Sequence, residues 1–168
     1  YLPRGKTAEE VAQEEGLEIQ AAILSYGSYD MYTTSLKGFE KMKNFFWLIS
    51  GSLPRGIFGK SFDAVDNPEM YKAVSPSFNI PMVSERKLPP QLLTIGSDDK
   101  LVTPSSVRNY KEKLELSGHQ VEYWEYEGQS HAYLDSNTKG FFSNNFEINA
   151  PPALDVMIRF LNKVFYKE

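Results

Sequence analysis

Cysteine is absent from all 168 residues. The chain therefore has neither a disulfide framework nor a thiolate nucleophile, which fits a reducing, cytoplasmic compartment. Histidine is nearly absent, with two residues at His119 and His131. They lack matched ligand spacing and no acidic residues cluster around them, so no metal site is expected. No Asn-x-Ser/Thr sequon occurs, and nothing at the N-terminus resembles a signal peptide. No apolar run approaches the ~20 residues of a spanning helix, so no membrane span is expected and the chain reads as soluble. A block of one charge sign is missing too: 18 basic and 22 acidic residues are spread along the chain for a net charge of −4. That leaves no basic stripe for nucleic acid. No phosphate-binding glycine loop follows a strand, and no cofactor is expected.

What remains is a chain with 41% hydrophobic side chains, long enough for one domain with a real core and short for two. Thr7 and Glu10 have capping-box spacing ahead of a polar helix over Ala8 to Glu15, which Gly16 ends. Ile19 to Tyr26 is a short apolar run ended by Gly27, consistent with a buried parallel strand. Leu36, Phe39, Met42, Phe46 and Ile49 fall at spacings of three and four, which predicts a helix of about four turns. Phe45, Trp47 and Leu48 widen its apolar face, so it is either deeply buried or covers an apolar pocket. An irregular stretch punctuated by Gly and Pro follows, up to Pro90.

Leu92 to Gly96 reads as a second strand. A helix follows, capped by Thr103 with Pro104 at its first position, facing inward through Val107, Tyr110 and Leu114 until Gly118 stops it. Val121 to Tyr126 is the third strand, and the alternation favours a parallel sheet with right-handed crossovers. Residues 132 to 150 read as a loop. The last segment places Leu154, Met157, Ile158, Leu161 and Phe165 on one face of an amphipathic helix.

In open α/β sheets, ligands bind outside the carboxyl ends of the strands, where Asp98, Asp99 and His131 should emerge. A carboxylate bonded to imidazole fixes its tautomer and frees the other ring nitrogen to act as a general base. Turn aspartates and loop histidines are also ordinary features, and spacing alone leaves both readings open. His119 falls in the turn before the third strand, at the opposite end of the sheet, and reads as structural.

The segments LPPQLLTIGSDDKLVTP and YKEKLELSGHQVEYWEYEGQSHAYLD resemble the C-terminal part of an α/β-hydrolase. The likeness is greatest to the acetyl-esterase and hormone-sensitive-lipase-like branch, with prolyl-oligopeptidase-like peptidases second. Those families show Pro-Pro before a strand, then Gly-x-x-Asp with Leu or Val soon after, and Gly-x-x-His after the last strand. Here these fall on Gly96, Asp99, Leu101, Gly128 and His131. The resemblance implies that Asp99 is the triad acid, with Asp98 as fallback, and that His131 is the general base. Lys100 departs from the Pro often found there.

The nucleophile is missing. These enzymes carry a Gly-x-Ser-x-Gly turn between a strand and a helix, ahead of the acid and the base. No such pentapeptide occurs, nor a His-Gly-Gly oxyanion segment; the resemblance puts both before Tyr1. The expected architecture is a partial α/β-hydrolase fold in which residues 1–168 form the C-terminal portion of one domain. Its sheet has about three parallel strands flanked by helices, with a helical lid-like insertion over about 28–87. The expected function is hydrolysis of a small-molecule carboxylic ester through an acyl-enzyme, this portion alone being inactive. A serine peptidase and a non-catalytic ligand-binding module are the alternatives. Tyr26, Tyr29, Tyr32, Phe46 and Trp47 are candidate substrate contacts, because the segment after the first strand and the aromatic helix both lie at the strand's active-site end. The exposed edge of the first strand is expected to pair with another chain, as self-association or with a companion N-terminal fragment.

Overall fold

The computed structural model describes residues 8–40, 57–59, 61–135 and 146–166. Three parallel strands, β1 (Ala22–Ser25), β2 (Gln91–Gly96) and β3 (Val121–Tyr126), lie side by side in chain order. All six residues of β2 are buried, whereas those of β1 and β3 are half-buried. That is the pattern of a central strand covered on both faces and flanked by two edges.

β1 is shorter than the run Ile19 to Tyr26 suggests. The register pairs Ala22 with Gln91, and the ladder begins where the Ala22 N–H donates to the Pro90 carbonyl at 2.9 Å. Residues before Ala22 would face Pro89 and Pro90, which have no N–H to donate, so pairing stops there and Ile19 remains 73% exposed.

One face of the sheet carries Leu24, Leu93, Ile95, Val121 and Tyr123. It packs on helix α4 (Pro104–Leu116) through Val107, Tyr110 and Leu114. Thr103 takes the position ahead of Pro104 but does not cap with its side chain; its Oγ1 pairs with Ser105 Oγ at 3.0 Å instead. Gly118, at φ 85°, ends this crossover as expected, because a left-handed turn suits glycine.

The other face is covered by helix α5 (Phe146–Tyr166), with Lys163 bonded to Glu122 of β3 at 3.0 Å. Two expectations fail on this helix. It starts at Phe146 rather than after residue 150, since proline's fixed φ is helical and only the bonds to the Glu147 and Ile148 carbonyls are lost. Its inward face is Asn149, Ala150, Ala153 and Phe160, whereas Leu154, Ile158 and Phe165 are exposed. Met157 and Leu161 of the expected stripe are half-buried beside these residues, so the buried face is turned from that stripe toward Ala150 and Ala153.

Between β1 and β2 the chain forms α2 (Met31–Leu36), α3 (Pro68–Ala73) and a 3-10 turn at Pro76–Phe78, while the short polar α1 (Ala8–Glu14) precedes β1. Asp30 caps α2 by accepting from the Thr33 N–H and hydroxyl, both at 2.8 Å. Leu36 therefore ends a helix where periodicity had it beginning one, and Gly38 at φ 95° lies in the turn after it. The rest of the expected aromatic helix, including Phe46 and Trp47, lies outside the described residues. Ser75 ties this region together: its hydroxyl donates to the Tyr71 carbonyl at 2.7 Å and accepts from the Tyr32 N–H at 3.1 Å.

His119 is a buried strut. Its Nε2 meets the Pro81 carbonyl at 2.7 Å and its Nδ1 the Leu88 N–H at 3.4 Å, fastening the 81–88 connection beneath β3. Among the described residues no helix is long and apolar enough to cross a membrane.

Candidate active site

The turns after β2 and β3 leave the same, carboxyl end of the sheet and are zipped to each other. The Ser97 N–H donates to the Tyr126 carbonyl at 2.9 Å, and the Gly128 N–H to Ser97 Oγ at 2.8 Å. The Asp98 N–H donates to the Gln129 carbonyl at 2.9 Å. Gly96 permits this approach, since a Cβ there would sit 2.2 Å from the Gln129 carbonyl oxygen. Here the glycine is required by proximity, not by an unusual φ.

Asp99 closes its own turn. Its Oδ1 accepts from the Leu101 and Val102 N–H groups, each at 2.9 Å, and its side chain is fully buried. The other oxygen, Oδ2, lies 2.8 Å from Nδ1 of His131, whose side chain is 19% exposed. A carboxylate only accepts hydrogen bonds, so the proton on this contact belongs to Nδ1 and the basic lone pair of the ring to Nε2. The two backbone donors fix the carboxylate; the carboxylate fixes the ring. Asp98 is exposed, with its carboxylate 3.5 Å from Ser97 Oγ, so the acid against the imidazole is Asp99.

The remaining candidates separate. The Tyr26 ring meets the His131 ring edge-on, with centroids 5.3 Å apart. Tyr29 is 7% exposed and stacks on Tyr110 with centroids 4.1 Å apart, which makes it part of the core and not a surface open to substrate. Tyr32 packs against Phe78 and under the Lys72 ammonium.

Sequence reasoning missed Tyr133 and Thr94. Tyr133 is fully buried, and its hydroxyl lies 2.6 Å from Thr94 Oγ1, which in turn donates to Ser25 Oγ at 3.0 Å. Burial raises the Tyr133 phenol above the ordinary tyrosine range, so it is neutral and able to donate. An aromatic residue two positions past the histidine was visible in the sequence; its partner, a threonine in an apolar strand, carried no sign of more than β propensity. A polar groove of about 260 Å³ between α2 and α4, lined by Thr33, Lys37, Ser105, Asn109 and Lys113 among others, includes neither Asp99 nor His131.

Solved esterase structures share this arrangement of strands and helices. The apo form of Thermogutta terrifontis esterase 2 aligns with a TM-score of 0.58 and 21% identity, over 98% of this chain and 49% of that one. Its butyrate-bound form gives 0.54 and 20%, over 89% and 45%. The form phosphorylated by paraoxon gives 0.57 and 18%, over 98% and 45%. The chain thus spans about half the length of these structures, or slightly less. At such identities the likeness speaks to fold, and the fold is a partial α/β-hydrolase fold, three parallel strands in one open sheet flanked by helices. No protein-family model matches the chain, and no curated protein does.

Proposed function

We propose that this chain is the acid and base portion of a serine hydrolase, of the acetyl-esterase and hormone-sensitive-lipase-like branch, that cleaves small carboxylic esters. The observation that carries the reading is the 2.8 Å contact between buried Asp99 and His131 at the carboxyl end of the sheet. With Nδ1 holding its proton toward Asp99, Nε2 takes the proton of an attacking serine hydroxyl as the serine oxygen bonds to the ester carbonyl carbon. The same nitrogen returns that proton to the departing alkoxide as the acyl-enzyme forms. Water then repeats the sequence and releases the acid. Asp99 accepts hydrogen bonds throughout and stabilises the imidazolium that forms.

The serine comes from a segment preceding these 168 residues, and the portion is inactive alone. Two observations support this: the nucleophile precedes acid and base in the order the sequence resembles, and esterase structures with this fold are about twice as long. That preceding segment pairs with the outer edge of β1, the alternative partner being a second copy of the chain. Residues about 28–87 form a lid-like insertion of the same domain, in which Phe46 and Trp47 line the acyl pocket with Tyr32 nearby. Butyrate- and propionate-bound forms of Thermogutta terrifontis esterase 2 favour a short acyl group here. The lack of cysteine supports a cytoplasmic setting.

The test is to read the coding sequence upstream of Tyr1 and express the longer polypeptide. A Gly-x-Ser-x-Gly turn should be present, and a fluorophosphonate probe should label its serine. Labelling should disappear on replacing that serine and fall steeply in His131→Ala. Ester and peptide substrates then separate an esterase from a peptidase. An upstream segment without the serine would favour a ligand-binding module, and an intact elbow that fails to label would refute the reading.

A further inference from the structure

We propose that helix α5 carries a second packing face, and that a second copy of this chain covers it, the two α5 helices lying antiparallel. The inference is independent of the reading of Asp99 and His131. It also concerns a different surface from the outer edge of β1.

The apolar stripe that the sequence marks on the last helix is not the one the sheet takes. Asn149, Ala150, Ala153 and Phe160 are the residues α5 buries, which leaves Leu154 43%, Ile158 53% and Phe165 51% exposed. Leu161, of the same stripe, is half-buried. At about 100° per residue, the two sets point roughly 110° apart round the helix. A surface helix ordinarily has one apolar stripe and turns charge to water elsewhere. α5 has two.

The spacing of the second stripe identifies what fits it. Leu154, Ile158, Leu161 and Phe165 are four, three and four residues apart. That is the spacing of a heptad seam, by which one helix packs along another. α5 is already helical through its contact with the sheet, so pairing carries no nucleation cost.

The seam is also self-complementary. In an antiparallel alignment Leu154 meets Phe165 of the other copy and Ile158 meets Leu161, and two-fold symmetry repeats both contacts. The polar flank of the seam is Asp155 and Asn162. The same alignment brings Asp155 of one copy to Asn162 of the other, a carboxylate acceptor beside an amide donor. A parallel alignment would instead hold the two Asp155 carboxylates at one height, where like charges repel. Four half-exposed side chains fall short of the roughly 800 Å² per partner of a standard interface, so association is expected at about 10–100 µM.

Sedimentation velocity on the chain from ~5 to ~500 µM tests this by mass action. The expected result is a transition from monomer to dimer. Ile158→Glu should raise its midpoint at least ~30-fold, since the substitution places an unpaired carboxylate in the seam twice per dimer. Urea unfolding of that variant at low concentration should match the native midpoint, because Ile158 faces water in the single chain. The chain has no cysteine, so disulfide trapping reads the alignment directly. Leu154→Cys combined with Phe165→Cys should cross-link two copies on oxidation. Leu154→Cys alone should not, as the two copies of position 154 lie ~16 Å apart in the antiparallel register. Cross-linking by Leu154→Cys alone would overturn the proposal, as would a dimer that survives Ile158→Glu, which pairing through the β1 edge would produce. A chain still monomeric at ~500 µM would overturn it too. In that case, a loss of stability in Ile158→Glu confined to the longer polypeptide would assign the face to the segment preceding Tyr1.

Discussion

Replacing Gly96 by Ala tests how the two turns of the site are held against each other. An added Cβ would lie 2.2 Å from the Gln129 carbonyl oxygen, 2.7 Å from its carbon and 2.9 Å from the Ser130 carbonyl oxygen. All three are backbone atoms, so no side chain can swing away to relieve the overlap. An ordinary carbon to oxygen contact needs more than ~3 Å, so the turn carrying His131 must retreat by about 1 Å. That retreat stretches the Asp98 N–H bond to Gln129, 2.9 Å in the native chain, and draws His131 from Asp99. Overpacking costs roughly 1–3 kcal/mol and a lost hydrogen bond about 1 kcal/mol more, so the expected loss is about 2–4 kcal/mol. Urea unfolding should show it as a lower midpoint with an unchanged slope. In the longer polypeptide, a misplacement of about 1 Å should also lower turnover on the order of 10²-fold. A Gly96→Ala variant within ~0.5 kcal/mol of the native chain, and with the native His131 tautomer, would refute the reasoning.

Three further outcomes are expected. Tyr29→Phe should stabilise the chain by about 1 kcal/mol, because the buried Tyr29 hydroxyl has no hydrogen-bond partner among the described residues; a loss of similar size in urea unfolding would reveal one. His119→Ala should cost roughly 2–4 kcal/mol through the cavity and the unpaired Pro81 carbonyl, and should speed amide exchange at Val83, bonded to Ser117 at 2.9 Å; native exchange at Val83 would contradict the strut. Burial, with a smaller effect from Glu40, pushes the Tyr71 phenol up to about 12, so the folded state keeps a proton that the unfolded chain releases near pH ~10. That contribution to stability is complete below ~10 and lost as pH rises toward 12. Tyr29 and Tyr123 are raised further, again mainly by burial. Phenolate absorbance should therefore rise in step with unfolding; early ionisation of these tyrosines without unfolding would count against it.

The three strands, the crossover helix and the meeting of Asp99 with His131 were legible because each is written in local chemistry. Apolar runs end at or shortly before glycine, Pro104 opens the helix, and Asp99 and His131 follow successive strands. What was not legible depends on distance in space. Leu154, Ile158 and Phe165 are as apolar as any stripe of the last helix, yet they are exposed while Ala150 and Ala153 are buried. Pro89 and Pro90 shorten β1 from a strand away, which no local reading of Ile19 to Ala21 reveals. Asp30 accepts from the Thr33 N–H and so caps α2, a role its local sequence did not announce. The Thr94 hydroxyl acquires its role only once Ser25 and Tyr133, at sequence separations of 69 and 39 residues, arrive beside it.

The most direct test of the account is the protonation site of His131 in the native chain and in Asp99→Asn. The native ring should carry its proton on Nδ1, and the Asn variant should shift it to Nε2, since the amide can present an N–H where the carboxylate only accepted. In the longer polypeptide the same variant should lower turnover by about 10⁴-fold. A native ring protonated on Nε2, or a tautomer indifferent to Asp99→Asn, would contradict the claim that these two residues work as acid and base.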